Sequence, residues 1–215
     1  MLLLLSSHKP WNATYTNESG QALFKCESKS PSNTLRRRAF TLYRTLAPSE
    51  LGWRGEQGET SSSTVSEEAK YLKDEFEVLG QIVYDVWNME KSVLKFGQDL
   101  SVEGMVARDM FSKAGWGFYG RNRTFTAPNG EQFTWSMGAA SCSLYPVAEG
   151  DLQHVEPILK FQQGTMGFFS KRRPSTLEIK DGYEGVLPSF LLTFIYMERV
   201  RTERETATQQ AAAAS

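Results

Sequence analysis

The chain is short of the side chains that carry most enzymatic and metal chemistry. It has two histidines and two cysteines in 215 residues. Cys26 and Cys142 lie far apart and neither belongs to a C-x-x-C pair. That removes a zinc knuckle, a redox pair and a disulfide framework, and two buried free thiols are expected. No G-x-S-x-G elbow, H-E-x-x-H helix or P-loop sequence occurs, so no catalytic residue, cofactor or metal is expected. A surplus of charge is missing as well. The 24 Lys and Arg residues nearly cancel the 25 Asp and Glu, for a net charge of −1. No global field draws such a protein to nucleic acid or acidic lipid, and either would need a local basic patch. Long apolar runs are also absent. The opening "MLLLLSSHKP" has an apolar run shorter than the roughly 7–15-residue core of a secretion signal and no basic segment before it. It reads as a first strand, with His8 on a mobile terminus. A cytoplasmic, reducing setting is then expected, and the sequons at Asn12, Asn17 and Asn122 are chance.

What is present suits one packed domain. Hydrophobic residues make up 40% and aromatics 12% of the chain, enough for a core. The first half reads as strands, with a hairpin signal at Asn17-Glu18-Ser19-Gly20. Residues 52–68, rich in Gly, Ser, Thr and Glu, read as a flexible insertion. In "FEVLGQIVYDVWN", Phe76, Val78, Ile82, Tyr84 and Val86 share one parity. Glu77, Gln81 and Asp85 occupy the other, the alternation of a strand with one buried face.

"GWGFYGRNRTF" holds a G-x-G-x-x-G pattern at Gly115, Gly117 and Gly120. A dinucleotide loop requires a helix after it. Here Thr124, Phe125 and Thr126 favour a strand, and Ala127-Pro128-Asn129-Gly130 reads as a type I turn with a glycine bulge. Phe133 and Trp135 follow on one face of the return strand. The glycines therefore mark bends or close backbone approach in a hairpin. Trp116, Phe118, Phe125, Phe133 and Trp135 are expected to be structural.

The segment "GVLPSFLLTFIYMERVRTERE" reads as a helix over 187–205. Pro188 suits its first turn. Phe190, Leu191, Leu192, Phe194, Ile195, Tyr196 and Met197 point in every direction around the axis. Beyond them, Glu198, Arg201 and Glu205 form i,i+3 and i,i+4 pairs on what reads as a solvated surface. The apolar run is shorter than the ~20 residues that span a bilayer, so no transmembrane span is expected. Exposing these side chains would cost roughly 1.5–3 kcal/mol each, so the helix has to be enclosed. A single flat sheet covers only one side of it. The expected fold is mainly β: a closed or near-closed antiparallel β-barrel around a hydrophobic C-terminal helix, one domain over 1–205. Residues 206–215 are expected to form a disordered or frayed tail.

"GWGFYGRNRTFTAPNGEQFTW", "RPSTLEI" and "LLTFIYMERVRTERE" together resemble a family of uncharacterised domains expanded in mushroom-forming fungi, over most of residues 10–205. Relative to that pattern, 52–68 looks like an insertion. The layout in turn is similar to the tubby-like, LURP-one-related and phospholipid-scramblase group, whose β-barrel wraps a hydrophobic C-terminal helix. That likeness is architectural and transfers no binding residue.

Two basic clusters are the candidate ligand-binding residues: Arg36, Arg37, Arg38 and Arg44 on or near one strand, and Lys171, Arg172 and Arg173 in a turn. Brought together, they would form a phosphate-binding surface, as tubby-type domains do for phosphoinositide headgroups. Anionic phospholipid, or a protein, is then the expected partner rather than nucleic acid. His154 lies among Glu149, Asp151 and Glu156. Such a set can ligate a metal, but it reads here as an exposed acidic loop.

Overall fold

A computed structural model describes residues 1–29, 36–46, 76–147, 155–165 and 173–214. The expected insertion at 52–68, His154, Lys171 and Arg172 lie outside them.

The described chain folds into a 13-stranded sheet. The first strands are β1 (Leu2–Leu5), β2 (Ala13–Thr16), β3 (Ala22–Lys29), β4 (Arg37–Thr45), β5 (Phe76–Asp85), β6 (Val93–Phe96) and β7 (Met105–Val106). A one-turn helix α1 (Ala107–Met110) leads into β8 (Ser112–Gly117), β9 (Gly120–Thr126), β10 (Gln132–Met137), β11 (Cys142–Pro146), β12 (Leu159–Gln162) and β13 (Ser175–Ile179). The chain ends in α2 (Leu187–Ala213).

Every pairing is antiparallel, and the order is β7-β6-β5-β4-β3-β2-β1-β13-β12-β11-β10-β9-β8. Neighbours in sequence are neighbours in the sheet except β7 and β8, which lie at its two edges, and the one non-sequential pair is β1 with β13. The sheet is not a closed barrel. Among the described residues its edges, β7 and β8, share no backbone ladder. β7 is only two residues long and α1 begins at once, so the chain turns away before a ladder can form.

Burial follows the period of two. Leu3 and Leu5 in β1, Leu159 and Phe161 in β12, and Leu177 and Ile179 in β13 all face the core. In β5, Ile82 and Tyr84 are buried, while Gly80 marks a register shift against β4. A side chain at Gly80 would run into the Lys95 carbonyl and the Leu192 side chain, so glycine there admits the helix. The Ala127–Gly130 turn forms as its residues require. Gly130 has φ 86° and donates its amide to the Ala127 carbonyl at 2.9 Å.

The core sits around α2. From Leu187 to Arg201 only Pro188 and Arg199 are less than fully buried. The helix touches β5 and β6 from one half of the sheet and β10 and β11 from the other. Phe190 packs edge-on against Phe133 at 4.8 Å, and Phe194 meets Phe161 at 5.1 Å. The Trp135 indole donates to Thr193 Oγ1 at 3.1 Å. Phe125, Phe133 and Trp135 are thus structural as expected. Phe118 is instead 72% exposed, because it sits at the tip of the β8–β9 hairpin.

Two expectations about the helix change. It continues through residues 206–213, where Thr, Gln and Ala are compatible with helix, instead of fraying at 205. And Glu198 and Arg201 form their ion pair, at 2.8 Å, inside the protein, with Glu198 2% and Arg201 1% exposed. The sheet reaches further along the helix than its apolar run. Arg201 also donates to the Ala139 carbonyl at 3.2 Å.

Candidate anion-binding surface

An antiparallel register carried through every strand assigns each loop to one of two ends of the sheet. At the first end lie the start of β4, the end of β5, the end of β1, the start of β13 and the β8–β9 hairpin. The C-terminal half of α2 emerges there, since Tyr84 of β5 donates to Glu203 at 2.6 Å. At the second end lie the β2–β3 and β9–β10 turns, the end of β13 and the start of α2.

The charges separate accordingly. The second end carries exposed Glu18, Asp99, Glu131, Glu156, Asp181 and Glu184. The first carries exposed Lys29, Arg36, Arg37, Arg38, Arg121 and Arg173. Among the described residues the near-zero net charge thus conceals an uneven spread, with Lys180 beside Glu156 an exception at the second end.

The candidates from sequence divide. Arg36 is tied down: it bonds Asp85 at 3.0 Å and stacks over Trp87. Asp85, although on the polar parity of its strand, is buried and accepts the amides of Trp87 and Asn88 at 3.1 and 3.0 Å. Burial alone would raise its pKa, but the Asn88 amide, Arg36 and the Trp87 amide outweigh it and hold the carboxyl below its ordinary value. Arg37 and Arg38 are exposed. Arg44 lies at the opposite end of β4, paired with Glu77, and so is not part of the same patch. Arg173 shares the first end with Arg37 and Arg38, but β3, β2 and β1 stand between them. At about 4.8 Å per strand the two groups are roughly 20 Å apart around the rim.

The sequence reading missed a third cluster at the open seam. There, side chains span what no ladder does. Lys113 of β8 pairs with Glu90, in the turn after β5. Arg123 of β9, 1% exposed, donates to the Tyr196 hydroxyl at 3.2 Å. That hydroxyl in turn donates to the Met89 carbonyl at 3.0 Å. Phe111, just after α1, stacks on Tyr196 at 5.4 Å.

Arg204 from α2 bonds the Tyr119 carbonyl at the hairpin tip. Gly120, at φ 118°, is in the region that favours glycine, and the Arg204 guanidinium lies where a side chain would begin. Lys113, Gly120, Arg121, Arg123 and Arg204 line a cavity of about 330 Å³. Burial and the nearby Arg123 charge lower the Arg204 pKa. The signal was available in "GRNRTF", where Arg123 shares the parity of Phe125.

The nucleophile candidates are quiet. Burial pushes the Cys26 thiol up. Cys142 is pushed up by burial and by Glu198 beside it. Neither is a ready thiolate. His8 is packed rather than mobile: its Nδ1 lies 3.2 Å from Ser175 Oγ, which also accepts the Gly164 amide at 3.0 Å. Among the described residues no group of His, Cys, Asp and Glu is arranged to hold a metal, and no helix is long and apolar enough to cross a membrane.

Fold and site together define a class: a mainly β domain built around its own last helix, with one basic and one acidic end. The chain belongs to the family of unknown function DUF6593, whose pattern matches residues 8–203. No curated protein and no solved structure matches it.

Proposed function

We propose that the protein is a non-enzymatic binding module of tubby-like, barrel architecture that docks its basic end on anionic phospholipid headgroups. The observation that carries this reading is the coincidence of charge with exposed aromatics. Trp87 is 78% and Phe118 72% exposed, the largest exposures among the described large hydrophobics. Trp87 follows β5 and Phe118 tips the β8–β9 hairpin, so both stand at the end that carries Arg37, Arg38 and Arg173. Rings of this kind favour the headgroup region, where one side is apolar and the other wet. Each nearby cation adds about 1 kcal/mol at an anionic surface.

The test is flotation with phosphatidylserine-containing vesicles. Reversing both Arg37 and Arg38 to Glu should weaken partitioning by at least ~30-fold, from about 2 kcal/mol of lost attraction. Arg36 is left alone because it holds Asp85. Wild-type binding should fall as salt rises. Equal partitioning of variant and wild type would refute the reading.

A protein-interaction scaffold is the second reading. It is favoured by exposed Phe96, Val102 and Met105 around the short edge strand β7, outside the basic end.

A further inference from the structure

We infer that the seam cavity between β8–β9 and α2 is a binding site for a phosphate group, whether free or on an ester. This site adjoins the exposed rim and shares Arg121 with it, but the inference does not depend on the rim's meeting a membrane.

Three features carry it. The first is charge. Lys113, Arg121, Arg123 and Arg204 converge on one small cavity from three elements. Glu90 pairs with Lys113 and is a single carboxylate acting on Arg123 and Arg204 as well. Like charges crowded into a partly dry space repel, and a bound dianion is the natural relief.

The second is an unsatisfied donor. Arg123 is 1% exposed, its Nη1 is committed to Tyr196, and its Nη2 has no hydrogen-bond partner. A buried guanidinium nitrogen left without an acceptor is costly, and the side chain lines the cavity.

The third is rigidity. Tyr196 and Met89 fix the Arg123 head, and the Tyr119 carbonyl fixes Arg204. Gly120 keeps the wall between them free of a side chain. Prearranged guanidinium forks match the oxygens of a phosphate better than mobile lysines do. A cavity of about 330 Å³ is at the small end of ligand sites and has room for a phosphate group.

The experiment titrates inorganic phosphate into the intact protein, by calorimetry and thermal shift, against chloride at matched ionic strength. Phosphate should raise the melting midpoint where chloride does not. Arg204→Gln should weaken phosphate affinity about 10–100-fold, the loss of one charged hydrogen bond. Arg121→Gln should weaken it less. Arg123→Gln, should it fold, should abolish binding, but Arg121 and Arg204 keep the test decisive if it does not.

A second arm uses vesicles bearing a phosphomonoester headgroup. Binding that requires Arg204 makes lipid a source of the phosphate. Phosphate binding with no such vesicle dependence makes the source soluble, and the site stands. The Arg37→Glu, Arg38→Glu protein should keep its phosphate affinity, so failure at the membrane and failure at this site are separable. Equal responses to phosphate and chloride, or affinity unchanged in both Arg121→Gln and Arg204→Gln, would overturn the inference.

Discussion

The two ends of the sheet hold the same helix by opposite means. At the acidic end α2 begins among rings: Phe190 meets Phe133, Tyr183 and Phe125. At the basic end it leaves through polar contacts: Glu198 with Arg201, Tyr196 with Arg123, and Glu203 with Tyr84. Carboxylates outside the acidic end are remote from its apolar interior. At the basic end the charges reach inward and become part of the packing. The lesson is that burial and polarity are set independently along one helix. The aromatic end supplies adhesion, and the polar end supplies directional contacts through which a bound anion could be felt.

Truncation at the aromatic end should cost most. Phe190→Ala should destabilise the fold by about 3–5 kcal/mol in denaturant titration, since it empties a site surrounded by rings. A loss below 1 kcal/mol would mean that this end is not the anchor. Glu198→Ala should follow at about 3 kcal/mol, because Arg201 is left buried with only Glu205 and the Ala139 carbonyl. Replacing Glu198 and Arg201 together with Leu and Met should restore most of that loss, which would show that the pair contributes specificity more than strength.

The smallest effect is pH-dependent. Asp85 has a folded-state pKa below its ordinary 3.8. Its contribution is therefore complete above the ordinary carboxylate range and disappears as pH falls through the lowered value. Asp85→Asn should cost about 1–3 kcal/mol at neutral pH and should flatten the acid limb of the stability curve. An acid limb identical to wild type would assign that limb to other carboxylates, such as Glu90, which Lys113 holds low.

Much of the fold was legible because its signals are local. Period two marked β5, the Pro-Asn-Gly turn marked β9–β10, and an all-round apolar run marked a helix needing cover. What stayed hidden depends on distant residues. Nothing near Leu2–Leu5 announces that it will pair with Ser175–Ile179. Asp85, Arg123, Glu198 and Arg201 look like surface charges because charged side chains are seldom fully buried. They are buried by segments 7 to 73 positions away, as with Ser92 and Asp85 or Tyr196 and Arg123. The candidate site was half visible for the same reason. Runs such as Arg36–Arg38 stand out on the page, whereas a pocket assembled from Lys113, Arg121, Arg123 and Arg204 does not.

The pairing of β1 with β13 sets the timetable of synthesis and folding. The opening ammonium meets Ile179 across a sequence separation of 178 residues, and α2 comes later still. A ribosome must deliver the chain through β13 before the first strand finds its second neighbour, and through α2 before the other strands receive their central rod. Contacts that remote are won only after a long loop is closed, so assembly is slow. Until then the nascent sheet has an uncovered inner face that a chaperone is suited to shield.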